Sequence, residues 1–242
     1  MKKALTVIIA LSSLLFVACK EETQKPKVIY DEARSDKGQP KKVDSTQIKV
    51  ADLPVHMEGT KYLIHPVGDI RVYDDSNRSY GTSRTNGTVS YAISNYNRFE
   101  ITGYFENLKF QHVDSTALRP LTDKKIQIQT ATYLNTIADK YKKQILLYTL
   151  VDSDTNQDGK VDMNDIKSLY ISDAAGNGFK KLSEDVQELI DWNLIDAQGR
   201  IYFRTIEDIN KNGAFDKNDK VHYHYVSLLT PDWTITNYEP VN

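Results

Sequence analysis

Two twelve-residue segments, Asp154–Asp165 and Asp208–Asp219, hold the densest sets of oxygen-bearing side chains in the chain. Asp154, Asn156, Asp158, Asp162 and Asp165 occupy positions 1, 3, 5, 9 and 12 of the first. Asp208, Asn210, Asn212, Asp216 and Asp219 occupy the same positions of the second. Each segment has glycine at position 6, Gly159 or Gly213. Short carboxylates and amides spaced around a residue that tolerates φ > 0 suit a hard divalent cation, which collects six to eight oxygens at about 2.3–2.6 Å. Asp, Asn and Gly also dominate ordinary turns. One such match arises readily by chance; two in register, each after a matching apolar segment, argue for metal.

These segments resemble the EF-hand calcium loop, and more closely its dockerin variant with Asp in last place. The resemblance implies two calcium ions. It assigns side-chain oxygens to positions 1, 3 and 5, and a backbone carbonyl to position 7, here Lys160 and Ala214. It turns position 8 inward, here Val161 and Phe215. It brings position 9, Asp162 or Asp216, in through water, and closes the sphere with Asp165 or Asp219. Asp is shorter than the usual closing Glu, which admits some magnesium competition. Four carboxylates in loop one against three in loop two predict that the first site is the stronger.

The segments that lead into the loops set what an ion can do there. Gln144–Leu150 matches Arg200–Ile206, and Ser168–Ser172 and Lys220–Leu228 follow the two loops as second strands. The strands repeat at 56 residues and the loops at 54, so the first copy carries two extra residues around Val151–Ser153. Ile145–Val151 is apolar at consecutive positions, as in a central strand buried on both faces. A sensor loop needs long flanking helices. Loops between strands predict a clip that stabilises the fold.

The wider pattern is all-β. Strands are expected at Tyr62–Ile64, Ile70–Tyr73, Val89–Ile93, Phe99–Phe105, Leu108–Val113 and Ile126–Leu134, with a polar loop over 74–87. Tyrosine, at 15 residues, favours strands. The best helical candidates are one or two turns long, at Asn164–Leu169 and Glu184–Leu189. Arg119–Asp123 echoes Lys181–Asp185, and Leu169–Gly176 looks like part of a blade in TolB-type β-propellers. That resemblance implies about three antiparallel meander sheets within 49–242. Three are fewer than a closed propeller usually needs. An open stack of sheets, or a sandwich-like pairing, fits equally well.

The N-terminus reads as an export signal. Lys2 and Lys3 precede an apolar run from Ala4 to Ala18, 15 residues long and too short for a membrane span. It ends in Phe16-Val17-Ala18-Cys19, which resembles a bacterial lipobox with Phe16 in place of the usual Leu. This implies a signal peptide over 1–18 and lipid on Cys19, the sole cysteine. Lys20-Glu21-Glu22 resembles the surface-export signal of Bacteroidetes-type lipoproteins. An outer-membrane lipoprotein is therefore expected, on the cell surface or the periplasmic face. Residues 19–48 are polar apart from Val28-Ile29-Tyr30, and read as a flexible tether.

A formal charge of −2 supplies no basic field for nucleic acid. His222 and His224 share one strand face, more in keeping with packing than with a transition-metal site that lacks a third ligand. Trp192, Trp233 and the tyrosines could form a sugar platform but suit packing better. Gly-x-Ser-x-Gly, phosphate-cradling and His-Glu-x-x-His motifs are absent. The reading therefore leans away from an enzyme, toward a binding module for a protein or glycan. A carbohydrate hydrolase with a site between sheets is the alternative.

Overall fold

The computed structural model describes residues 26–30, 47–71 and 92–241. The signal segment, Cys19 and the loop expected over 74–87 lie outside the described residues. Among the described residues, fifteen strands and one short helix follow in chain order. They are β1 (Gln47–Ala51), β2 (Val55–His56), β3 (Tyr62–Arg71), β4 (Ser94–Tyr96), β5 (Glu100–Phe105), β6 (Asn107–His112), β7 (Arg119–Pro120) and β8 (Gln127–Tyr133). Helix α1 (Asn135–Tyr141) leads to β9 (Ile145–Val151), β10 (Lys167–Asp173), β11 (Lys180–Lys181), β12 (Gln187–Ile195), β13 (Arg200–Glu207), β14 (Lys220–Ser227) and β15 (Ile235–Asn237).

The fold is all-β, and the strands form three antiparallel sheets. The first runs β1-β3-β6-β7, with β2 also on β3; the second runs β11-β10-β9-β8-β5-β4; the third runs β12-β13-β14-β15. The third is a simple meander. The first two interleave, because the chain leaves β3 for β4 and β5 in the second sheet and returns to β6. The sheets stack without closing into a ring among the described residues.

Strand β9 shows why the stack holds. Its alternate side chains belong to two cores. Leu146, Tyr148 and Leu150 pack with Ile64, Phe105, Leu108 and Ile128 between the first and second sheets. Ile145 and Leu147 pack with Leu169, Ile171, Ile201, Phe203 and Val226 between the second and third. A continuous apolar run is the signature of a strand covered on both faces, and each fully buried side chain of this kind stabilises by about 1.5–3 kcal/mol. Strand β13 differs. Ile201, Phe203 and Thr205 are buried while Tyr202 and Arg204 are not, so only one of its faces meets a core.

Three expectations need correction. Asn164–Leu169 and Glu184–Leu189 are not helical; their apolar ends enter β10 and β12. The helix forms instead at Asn135–Tyr141, buries Ile137 and ends at Lys142 in the left-handed region, whose N–H donates to the Ala138 carbonyl. Two turns with one buried residue leave little periodic signal. Nor is the tether reading right for every residue of 19–48. Residues 26–30 are packed against the fold, and β1 begins at Gln47.

Candidate metal centre

The two oxygen-rich segments are the connections of adjacent hairpins, β9–β10 and β13–β14. Their backbones match position by position. Position 4 is left-handed in both, Gln157 at φ 56° and Lys211 at φ 57°, and so is position 6, Gly159 at 83° and Gly213 at 81°. The position-1 carboxylate accepts from the amides of positions 5 and 6. These distances are 3.0 and 2.7 Å at Asp154, and 3.2 and 2.7 Å at Asp208. Position 3 accepts from the position-5 amide, Asn156 from Asp158 and Asn210 from Asn212, each at 2.9 Å. Position 5 accepts from position 7, Asp158 from Lys160 and Asn212 from Ala214, each at 2.8 Å. The amide of position 9 donates to the closing carboxylate, Asp162 to Asp165 at 3.0 Å and Asp216 to Asp219 at 2.7 Å. Left-handed turns at 4 and 6 coil both loops along the same path, with the side-chain oxygens of positions 1, 3, 5 and 12 each accepting from amides of their own loop.

The loops part at position 12. Asp165 is fully buried, and its Oδ1 accepts from the amides of Thr155 at 2.8 Å and Asn156 at 3.0 Å. The equivalent Oδ1 of Asp219 is buried without a hydrogen-bond partner. An unsatisfied buried oxygen costs about 1–3 kcal/mol, more when charged. A cation beside Asp219 would satisfy it, so the donor set of loop two fits the implied ion. Among the described residues, no three His, Cys, Asp or Glu groups converge tightly enough to hold a metal by themselves. Amide oxygens of Asn156 or Asn210 and Asn212, with the carbonyls of Lys160 or Ala214, would have to share the coordination.

Residues 26–30 form a strap across both loops, which sequence reasoning missed. The Lys27 amide donates to the Gly213 carbonyl at 2.7 Å, and the Ile29 amide to the Thr155 carbonyl at 3.0 Å. Thr155 Oγ1 donates to the Lys27 carbonyl at 2.7 Å, and Gln157 Nε2 to the Ile29 carbonyl at 3.1 Å. Val28 is 4% exposed. Lys27 Nζ pairs with the largely buried Glu188 at 2.9 Å. The Tyr30 hydroxyl donates to Asp208 Oδ2 at 3.1 Å; burial first, then this hydrogen bond, push its pKa up to about 12. A cleft of about 840 Å³ runs beside the strap and reaches Asn156 and Asp158 of one loop and Gly213 and Phe215 of the other. Val28-Ile29-Tyr30, the only apolar run in a polar stretch, was the available signal.

The two extra residues before loop one also have a place. Asp152 accepts from Tyr170 Oη at 2.7 Å and pairs with Lys181 at 2.7 Å. Burial opposes ionisation of Asp152, but the bonds from Lys181 and Tyr170 outweigh it and hold the carboxyl below its usual range.

The remaining candidates are structural. His224 is 3% exposed, lies 3.0 Å from Thr205 Oγ1 and 2.7 Å from Asn237 Oδ1, and stacks on Phe203. His222 is 2.7 Å from Glu207. Trp192 and Trp233 pack against the second core. Tyr202, Tyr223, Tyr225 and Tyr238 gather on the outer face of the third sheet, with contacting rings 5.5–6.1 Å apart and the Arg200 guanidinium 4.5 Å above Tyr225.

No protein-family model matches the chain, and no curated protein or solved structure matches it significantly.

Proposed function

We propose that this chain is a lipid-anchored exported protein whose β domain is stabilised by two calcium ions, in Asp154–Asp165 and Asp208–Asp219, and works as a non-enzymatic binding module. The observation that carries the reading is the orphaned Asp219 Oδ1 within a loop that repeats the hydrogen bonding and left-handed turns of its counterpart. The anchor is Cys19, held on the outer membrane at the cell surface or the periplasmic face. The calcium role is structural, because each loop joins two strands of one sheet.

The tyrosine-rich outer face of the third sheet supports a binding role. It is shallow, aromatic and flanked by the Arg204–Asp191 ion pair, and it could take a protein or glycan partner. A hydrolase needs uncommitted carboxylates facing a cleft. The polar cleft of about 680 Å³ lined by Glu58, Arg98, Tyr133 and Asp139 offers two, but Glu58 is already paired with Arg98.

Thermal melting in excess calcium and in EDTA tests the calcium role. The melting temperature is expected to fall on chelation, and Asp154→Asn with Asp208→Asn is expected to abolish the difference. Identical curves for the unmodified protein would sink the proposal. Metabolic labelling with a fatty acid analogue, compared with Cys19→Ser, tests the anchor.

A further inference from the structure

We propose that the Pro26–Tyr30 strap is a calcium-dependent clasp that couples the two loops, with Tyr30 a positioning residue for Asp208. The proposal rests on the calcium reading above and adds to it. Among the described residues, every polar anchor of the strap except Glu188 belongs to a loop. Thr155 and Gln157 are positions 2 and 4 of loop one; Asp208 and Gly213 are positions 1 and 6 of loop two. An ion held by these loops fixes the backbone that the strap needs. Docking the strap in turn restricts the loops to the conformation that the ion needs. Such linkage is reciprocal, so strap docking and calcium affinity must rise together. Because one strap touches both loops, filling one prepares the other.

The packing leaves no slack at loop two. A Cβ added to Gly213 would stand 2.6 Å from both the Pro26 Cβ and the Val28 carbonyl oxygen. Position 6 is thus glycine for two reasons, a left-handed φ and the passage of the strap. Tyr30 acts through Asp208. Its hydroxyl bonds Oδ2, which also accepts from the Gly213 amide, while Oδ1 faces the Asn212 amide at 3.2 Å. This holds the carboxylate in one rotamer before an ion arrives.

Hydrogen exchange and calorimetric titration with calcium chloride on the full chain test this. Amides of residues 26–30 are expected to exchange at least tenfold more slowly in calcium than in EDTA. Val28→Asp, which undocks the strap, is expected to weaken both sites, each by a factor in the range of about 5–150 typical of such coupling. Tyr30→Phe keeps the ring and is expected to weaken loop two more than loop one. Asp154→Asn, which disables loop one, is expected to weaken loop two and loosen the strap. Unchanged exchange at β9 shows that each variant is folded. If wild type binds two ions while strap exchange ignores calcium and Val28→Asp leaves both affinities alone, the clasp is overturned and the calcium reading stands. If wild type binds no calcium, both are overturned.

Discussion

Loop one and loop two share a backbone path and differ in how the closing carboxylate is held. Asp165 is buried and already satisfied by two backbone amides of its own loop. Asp219 carries a buried oxygen with no partner. The closing carboxylate of loop one is therefore complete as protein, whereas that of loop two leaves one oxygen unpartnered. The carboxylate count favours tighter binding in loop one, four against three. On the proposed calcium reading, the orphaned oxygen gives loop two the larger gain in stability from being filled. Affinity and stabilisation are separable here, because affinity also includes the work of displacing the protein donors around Asp165.

The largest effect should come from removing calcium altogether. At a hundredfold excess over Kd, each site contributes about 2.7 kcal/mol, or a fall of about 5–11 °C in melting temperature on chelation for a domain of this size. The comparison is sharper with loop one or loop two disabled in turn. Losing loop two by Asp208→Asn should remove more of the calcium-dependent shift than losing loop one by Asp154→Asn.

The closing residues give the next effect. In EDTA, Asp165→Ala is expected to cost about 2–3 kcal/mol, since it strips hydrogen bonds from a buried charged acceptor. Asp219→Ala in EDTA should cost less, because loss of the hydrogen bond from the Asp216 amide is offset by removal of an unsatisfied buried oxygen. In calcium the order should narrow or reverse. Urea titrations of both variants with and without calcium check this, and equal costs in EDTA would erase the distinction between the loops.

Gly213→Ala should be milder. Moving a non-glycine residue into the left-handed region costs about 1–2 kcal/mol, and here the added methyl also meets the strap. Proteolysis near Lys27 should accelerate more than global unfolding does.

The smallest effect concerns Asp152, which only the first copy of the repeat contains. Lys181 and Tyr170 depress its folded pKa despite burial. Its stabilisation is therefore fully present above the ordinary carboxylate value of about 3.9 and lost as pH falls through the depressed folded value. Lys181 is shifted up: burial opposes its charge, but the bonds to Asp152 and Asp185 outweigh that. Its contribution is present below its ordinary value of about 10.4 and lost as pH rises through the raised one. Asp152→Asn should cost about 1–2 kcal/mol at neutral pH. Its stability curve should converge on wild type only in strong acid.

Much of the β architecture was legible because period-two burial is a local property. The run Ile145–Val151 announced a strand covered twice, and β9 divides its side chains between two cores. The match of Arg200–Ile206 to that run announced a second strand, and β13 forms there, though only one of its faces is buried. The repeat placed both loops between paired strands. The helix escaped because two turns that bury one residue carry almost no period. The interleaving of the first two sheets escaped because pairing partners far apart in sequence leave no mark on either strand alone.

Oxygen positions, glycine at position 6 and strand-to-strand context were written in the sequence itself, because metal loops and pleated strands are set by spacing over a dozen residues or fewer. The strap was not. Its hydrogen bonds join Lys27, Ile29 and Tyr30 to residues more than a hundred positions away. Only folding could decide that a short apolar run in a polar stretch would close over the two loops. Likewise, the identical aspartates at position 12 became unlike, one satisfied and one orphaned, because the environment of a carboxylate is a property of three dimensions.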